Sequence, residues 1–425
     1  MYSGDYEQYA GRHKDPEFTD VDFMKYVSQP TQAIDPNTLL TLEQVTEDLE
    51  IYYKALRTQY GAYAYFGDDE AFRPAIDAVI ADCAAMEYIT VATLADSLLQ
   101  HLSFVKDAHF SIGGWQDREY IVPFFFRGIA FQKTERGYET PGGKAVASVD
   151  GYDDLDALFK RSISRQGELF YCPILLESIS YWQYTRGPAT CSTPTLTVHY
   201  TDGSSSQLSA SPYFSSQYSN TSNNAVIEVE NGVPVMTVNA FAYPNGGMQF
   251  LNYSKDYPDR DIQIMDLRAN QGGSMPIATD WANAYAGQSV SGNALYMLHS
   301  QPDTEYKNVM SGKHGEFVSL DKTLILLTSK LTVSCGELMT DKAHNMENTL
   351  IVGENTNGEL RSSIGWITLP NSKIPVSFGD ALFLYPDGGY FEEYRGFLPD
   401  IWCPADEAKE AVMNFIAKNT TVTME

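Results

Sequence analysis

Three regimes of hydrophobic patterning follow one another along the chain. The first begins at Thr41, where Leu49, Tyr52, Tyr53, Leu56 and Tyr60 recur at helical spacing and Thr41 with Gln44 makes a capping box. The same period returns over residues 70–86 and over 90–104, with Leu94, Leu98, Leu99, Leu102 and Val105 inward. Three helices are predicted, forming a small helical domain over 38–117. Residues 1–37 are polar and carry Pro16, Pro30 and Pro36, and they read as an arm docked by its aromatic residues.

The second regime is β-like. Apolar runs at 120–126, 128–132, 144–151 and 195–205 are separated by Gly, Pro and Asp-Gly turn signals, with one helix predicted over 152–164 through Leu155, Leu158 and Phe159. This β-rich domain, 118–212, is either a PDZ-like module that captures extended chains by adding them as a strand, or a purely structural insert. A Ser- and Asn-rich stretch at 209–224 follows as a linker. In the third regime, 213–425, strands alternate with helices: an apolar run over 225–241, a helix at about 247–257, strands at 261–268 and 323–329, a helix after Ser334 and a strand at 349–354. That order predicts an α/β core with a largely parallel or mixed sheet, within an α+β multidomain chain.

Charge narrows the possible partners. The 425 residues hold 29 Lys plus Arg against 55 Asp plus Glu, a formal charge of -26. Such a surface repels phosphate backbones and anionic lipid, so neither nucleic acid nor a membrane surface is an expected partner. No run of about 18 apolar residues occurs, which argues against membrane insertion. The N-terminal residues lack the apolar segment of a signal peptide, consistent with a cytoplasmic chain or an exported one whose leader has been removed. Cys83, Cys172, Cys191, Cys335 and Cys403 have no metal-ligand spacing, and at most one bridge, such as Cys172 to Cys191, is expected.

Candidate chemistry gathers at the junctions. Leu324 to Leu327 read as a strand buried on both faces, and Ser334 lies between this strand and a helical run. Free backbone N–H groups at such a helix start can stabilise an oxyanion, which suits a nucleophile; a helix cap completed by Glu337 is the other reading. His109, in Asp107-Ala108-His109, is either a general base or a surface histidine paired with Asp107, and His101 is a competing candidate near the leucine stripe. The glycines of Asp266-Leu267-Arg268-Ala269-Asn270-Gln271-Gly272-Gly273 follow a strand, but neither nucleotide-binding glycine pattern is present. Half of an oxyanion hole is the alternative.

Taken in order, D-L-R-x-N-x-G-G at 266–273, S-C-G-E at 334–337, V-G-E-N-T-N-G at 352–358 and E-x-x-G-F-L-P-D at 393–400 resemble the C-terminal processing peptidase family of serine peptidases, which includes tail-specific proteases and the tricorn core. The resemblance spans about residues 225–405 and implies a ClpP/crotonase-like α/β protease core. It implies that Ser334 is the nucleophile and that the amides of Cys335 and Gly272 hold the oxyanion. One departure matters. Tail-specific members carry a lysine base after T-x-G, and here Glu359 follows Thr356-Asn357-Gly358, while Lys330 and Lys342 match no motif position. The tricorn-like branch instead uses serine, histidine and glutamate, which implies His109 as base and Glu393, or its neighbour Glu392, as the acidic member. No metal or organic cofactor is implied, and the expected partner is an unfolded or extended polypeptide cleaved through an acyl-enzyme. The rival readings are an inactive peptidase-like scaffold binding peptides or small apolar ligands, and an esterase, although G-x-S-x-G is absent.

Overall fold

A computed structural model describes residues 13, 15–27, 34–116, 118–180, 183–184, 187–212, 223–256, 261–298, 310–311, 317–385 and 391–419. The fold is mixed α/β, as predicted, and the chain divides into two compact units. One comprises Met1–Arg118, Asn293–Gly312 and Glu359–Glu393; the other comprises Glu119–Gly292, Lys313–Gly358 and Tyr394–Glu425.

In the first unit the three expected helices run Leu42–Gln59, Asp68–Ala85 and Val91–His101. The capping box at Thr41 is present, with the Thr41 N–H donating to Gln44 Oε1 (2.9 Å) and the Gln44 N–H to Thr41 Oγ1 (3.2 Å). Val45, Leu49, Tyr52 and Leu56 are fully buried, and they share a core with Ile367, Val376 and Phe378 from a part of the chain more than three hundred positions away. Those later residues belong to strands Gly365–Thr368 and Pro375–Phe378, which pair antiparallel and add Ser111–Ile112 at the edge. Asp48, on the first long helix, ties the turn between them. Its Oδ1 accepts the Asn371 N–H and its Oδ2 the Ser372 N–H, both at 2.8 Å. A buried carboxylate satisfied by two backbone donors fixes the strands to the helix.

The second unit is built on a ten-stranded sheet among the described residues. Its middle is parallel: Phe159–Ile163, Ile401–Trp402, Thr349–Gly353, Thr323–Thr328, Ile262–Asp266 and Val233–Val238 lie side by side in that order. Antiparallel strands extend both ends, Ala225–Glu230 on one side and Leu169–Ser180 with Glu119–Phe125 on the other. Leu324 to Leu327 are at most 5% exposed, as expected of a strand covered on both faces. The helix Ala405–Asn419 packs Ala408, Ala411, Val412 and Ile416 against Ile325 and Val352.

The helix predicted over 152–164 is a correction. Only Leu155–Leu158 is helical, and Phe159–Ile163 is a strand, antiparallel to Leu169–Ser180 and parallel to Ile401–Trp402. Two neighbouring strands supply backbone partners there, and that pairing overrides a local apolar spacing too short to choose between the periods. All five cysteines are free, so no bridge joins Cys172 to Cys191. Among the described residues no helix is long and apolar enough to cross a membrane.

Candidate active site

Ser334 is delivered by a braced loop. After strand Thr323–Thr328, Ser329 Oγ donates to the Arg268 carbonyl (2.6 Å), Thr332 Oγ1 to the Leu267 carbonyl (2.8 Å), and the Val333 N–H to the Asn270 carbonyl (2.9 Å). These bonds lock the loop onto the 266–273 segment that the sequence singles out. They leave Ser334 half-buried at φ 52° and ψ −113°, directly before the helix Cys335–His344. An ordinary cap residue sits in the extended region. Ser334 instead has a positive φ, a conformation that costs about 1–3 kcal/mol and persists only where its surroundings enforce it.

Gly272 approaches this serine closely. With φ 85°, it has room for no Cβ: one built there would lie 2.8 Å from Ser334 Cβ and 3.2 Å from the Cys335 nitrogen. The Gly272 N–H donates to Asn270 Oδ1 (2.9 Å), while Asn270 Nδ2 donates to the Val238 carbonyl (2.8 Å). An oxyanion at Gly272 would therefore compete with the Asn270 side chain. The Asp266 and Arg268 side chains form a buried fork, Nε to Oδ1 at 2.8 Å and Nη2 to Oδ2 at 2.6 Å, and Arg268 Nη1 also donates to the Ala405 carbonyl (2.6 Å). Those two motif residues hold the loop in place. The Cys335 thiol donates to the Gly273 carbonyl (2.8 Å), and burial pushes it up to about 12. It is a neutral thiol at ordinary pH, which leaves only its amide for chemistry.

Glu337 is more than a cap partner. Fully buried, its Oε2 accepts the Ser334 N–H (3.2 Å) and its Oε1 accepts both Thr356 Oγ1 (2.6 Å) and the Gly358 N–H (2.7 Å). One carboxylate thus links the serine's own backbone to the T-N-G motif. Gly358, at φ 84°, lies so close to the Tyr394 backbone that a Cβ would fall 2.4 Å from its nitrogen. Lys330, also fully buried, donates to the carbonyls of Thr356 (2.7 Å), Asn357 (2.8 Å) and Tyr394 (3.2 Å). Three carbonyl acceptors around the ammonium make Lys330 a structural brace. Lys342 donates to the Val290 carbonyl (2.7 Å), and burial lowers its pKa.

Glu354, in the same motif, carries a prediction. Burial pushes its carboxyl up to about 8, against the backbone N–H groups of Ala405, which donates to Oε1 (2.9 Å), and of Lys330. A folded-state pKa above the unfolded one means that the native state holds the extra proton. The contribution of this group to stability is fully present below about pH 4 and is lost as pH rises through about 8. Glu354→Gln is expected to flatten that slope by a few kcal/mol between about pH 5 and 9, read as the change in urea midpoint relative to wild type.

The remaining sequence-predicted residues lie in the first unit. His109 is 3% exposed, which sets aside the surface reading. Asp107 does not pair with its ring. It takes the His109 backbone N–H on Oδ1 (3.0 Å) and the Tyr60 hydroxyl on Oδ2 (2.6 Å). Ser377 Oγ donates to the His109 carbonyl (2.7 Å), so backbone bonds hold the residue on both sides. Glu393 is buried and accepts the N–H of Ala108 (2.9 Å) and of Leu360 (3.4 Å), whereas Glu392 is exposed. Glu359 approaches the His109 ring, with Oε1 at 3.7 Å from Nε2. His101 is paired with Asp82 at 2.7 Å and partly exposed.

A strained serine before a helix, reached from a buried strand of an α/β sheet and backed by a glycine loop, is the arrangement of a serine hydrolase. Residues 233–402 match the model of peptidase family S41. No curated protein matches the chain. Among solved structures it is similar to mature CPAF, with 11% identity, TM-score 0.46, and coverage of 90% of this chain and 99% of that one. It is also similar to the photosystem II D1 C-terminal processing protease (12% identity, TM-score 0.40, 86% and 94% covered). A third is a putative peptidase from Parabacteroides merdae (12% identity, TM-score 0.44, 90% and 99% covered).

Proposed function

We propose that the chain cleaves peptide bonds of unfolded or extended polypeptides through an acyl-enzyme on Ser334. His109 is the general base, Glu393 its acidic support, and the oxyanion donors are the amide of Cys335 and that of Gly272, the latter once the oxyanion displaces Asn270 Oδ1 from it. The observation that carries the reading is the positive φ of Ser334 at a helix start, with Gly272 in contact beside it. A capping box with Glu337 is present but does not require a positive φ, and this backbone sets Oγ beside Gly272 and the Cys335 amide. His109 takes the Oγ proton as Oγ bonds to the substrate carbonyl carbon, then returns it to the departing amine as the C–N bond breaks. Water repeats the sequence to free the acyl group. Burial and the clamp on Ala108 favour Glu393 over the exposed Glu392 as the acidic member. His109 and Glu393 belong to one unit of the chain, Ser334, Cys335 and Gly272 to the other.

The test uses the full chain with a fluorophosphonate probe and a reduced, alkylated protein substrate. The expected result is probe mass on the peptide containing Ser334 together with cleavage of the substrate. A chain that binds peptides while taking no label and cutting nothing would overturn the peptidase reading in favour of a scaffold.

A further inference from the structure

The residue standing in place of the family's lysine has a defined environment. Glu359 divides its carboxylate between two side chains: Oε2 meets Arg118 Nη1 at 2.9 Å, and Oε1 lies 3.7 Å from His109 Nε2. The three side chains are 16%, 8% and 3% exposed in that order, so water screens the group little. The other ring nitrogen, Nδ1, is buried with no hydrogen-bond partner. A neutral imidazole carries one proton. With a carboxylate near Nε2 and nothing at Nδ1, that proton belongs on Nε2 and the free lone pair on Nδ1.

Glu393 acts on the same group from behind. By accepting the N–H of Ala108 and of Leu360, it grips the residue before His109 and the residue after Glu359, which fixes the spacing of the pair. Asp107 is turned to the His109 backbone and to Tyr60. Among the described residues, Glu359 lies near the ring with Arg118 behind it, and Asp107 and Glu393 accept backbone N–H groups of His109 and Ala108.

We propose that Glu359 is a positioning residue that sets the tautomer and orientation of the His109 ring, with Arg118 holding the carboxylate in place. The inference rests on His109 being the base of Ser334. The substitution that removes the lysine chemistry thus supplies the histidine chemistry with a second carboxylate.

The test compares wild type, Glu359→Gln, Glu359→Asp and Arg118→Gln as full chains. The first readout is the pH dependence of the rate of fluorophosphonate labelling. With the proton no longer directed to Nε2, Glu359→Gln is expected to lower the plateau of the profile about tenfold, Arg118→Gln to lower it less, and Glu359→Asp to restore part of it. A Glu359→Gln profile that overlays wild type overturns the proposal. The second readout, the side-chain nitrogen resonances of His109 in histidine-labelled protein, needs no activity. It is expected to report Nε2 protonated in wild type and a tautomer mixture in Glu359→Gln. Nδ1 protonated in wild type overturns the proposal even if the chain takes no label, and absence of label alone counts only against the peptidase reading.

Discussion

Ser334→Ala is expected to abolish fluorophosphonate labelling and to lower kcat on a protein substrate by about six orders of magnitude. The size follows from the chemistry: without Oγ no acyl-enzyme forms, and what remains is the modest acceleration from substrate binding and oxyanion donors. The fold is expected to survive. The loop is held by Ser329, Thr332 and Val333, none of which uses the Ser334 hydroxyl, and the Ser334 N–H donates to Glu337 whatever the side chain. The urea midpoint should therefore stay near wild type. Ser334→Gly, which relieves the positive φ, should raise it by about 1 kcal/mol while being equally inactive. Inactivity with gained stability is the signature of a residue kept strained for function. Label retained by Ser334→Ala would remove this serine from the mechanism.

How much of this was legible in the sequence depended on how local the controlling interactions are. Helix Leu42–Gln59 was readable because its cap and its apolar face both lie within eighteen residues. The buried strand before Ser334 was readable because a continuous apolar run has few other uses. By contrast, strands Gly365–Thr368 and Pro375–Phe378 join the helical unit through Asp48 and a shared core, contacts made over more than three hundred positions, and no local pattern announces that. The strand Phe159–Ile163 was misread for the same reason.

At the site, residue types were legible and their partners were not. Glu337 could be seen three residues beyond Ser334 as half of a capping box. Its grip on Thr356 and Gly358 required the T-N-G loop to fold back over it. Lys330 looked like a spare base near the serine, and its three carbonyl acceptors come from segments twenty-six to sixty-four positions away. Glu359 was read as a missing lysine, a fact about what the position lacks. Its neighbours Arg118 and His109 lie more than two hundred positions upstream, and no local pattern announces that they meet it.

His109→Ala should cost nearly as much activity as loss of the serine, because triad members act as a unit, and it should suppress labelling at neutral pH. Stability should fall by only about 1–3 kcal/mol, since the buried ring is lost while the backbone remains tied by Asp107 and Ser377 and the Glu359 carboxylate keeps Arg118. His101→Ala provides the contrast. That ring is partly exposed and paired with Asp82, so labelling and cleavage should stay within a few-fold of wild type. Raising the pH offers a further check: as hydroxide takes over the proton, the His109→Ala defect in labelling should shrink, whereas the Ser334→Ala defect should not. Wild-type labelling by His109→Ala would mean that another base activates the serine. Lys330 would then have to release the carbonyls of Thr356, Asn357 and Tyr394, and the loop they anchor would have to open.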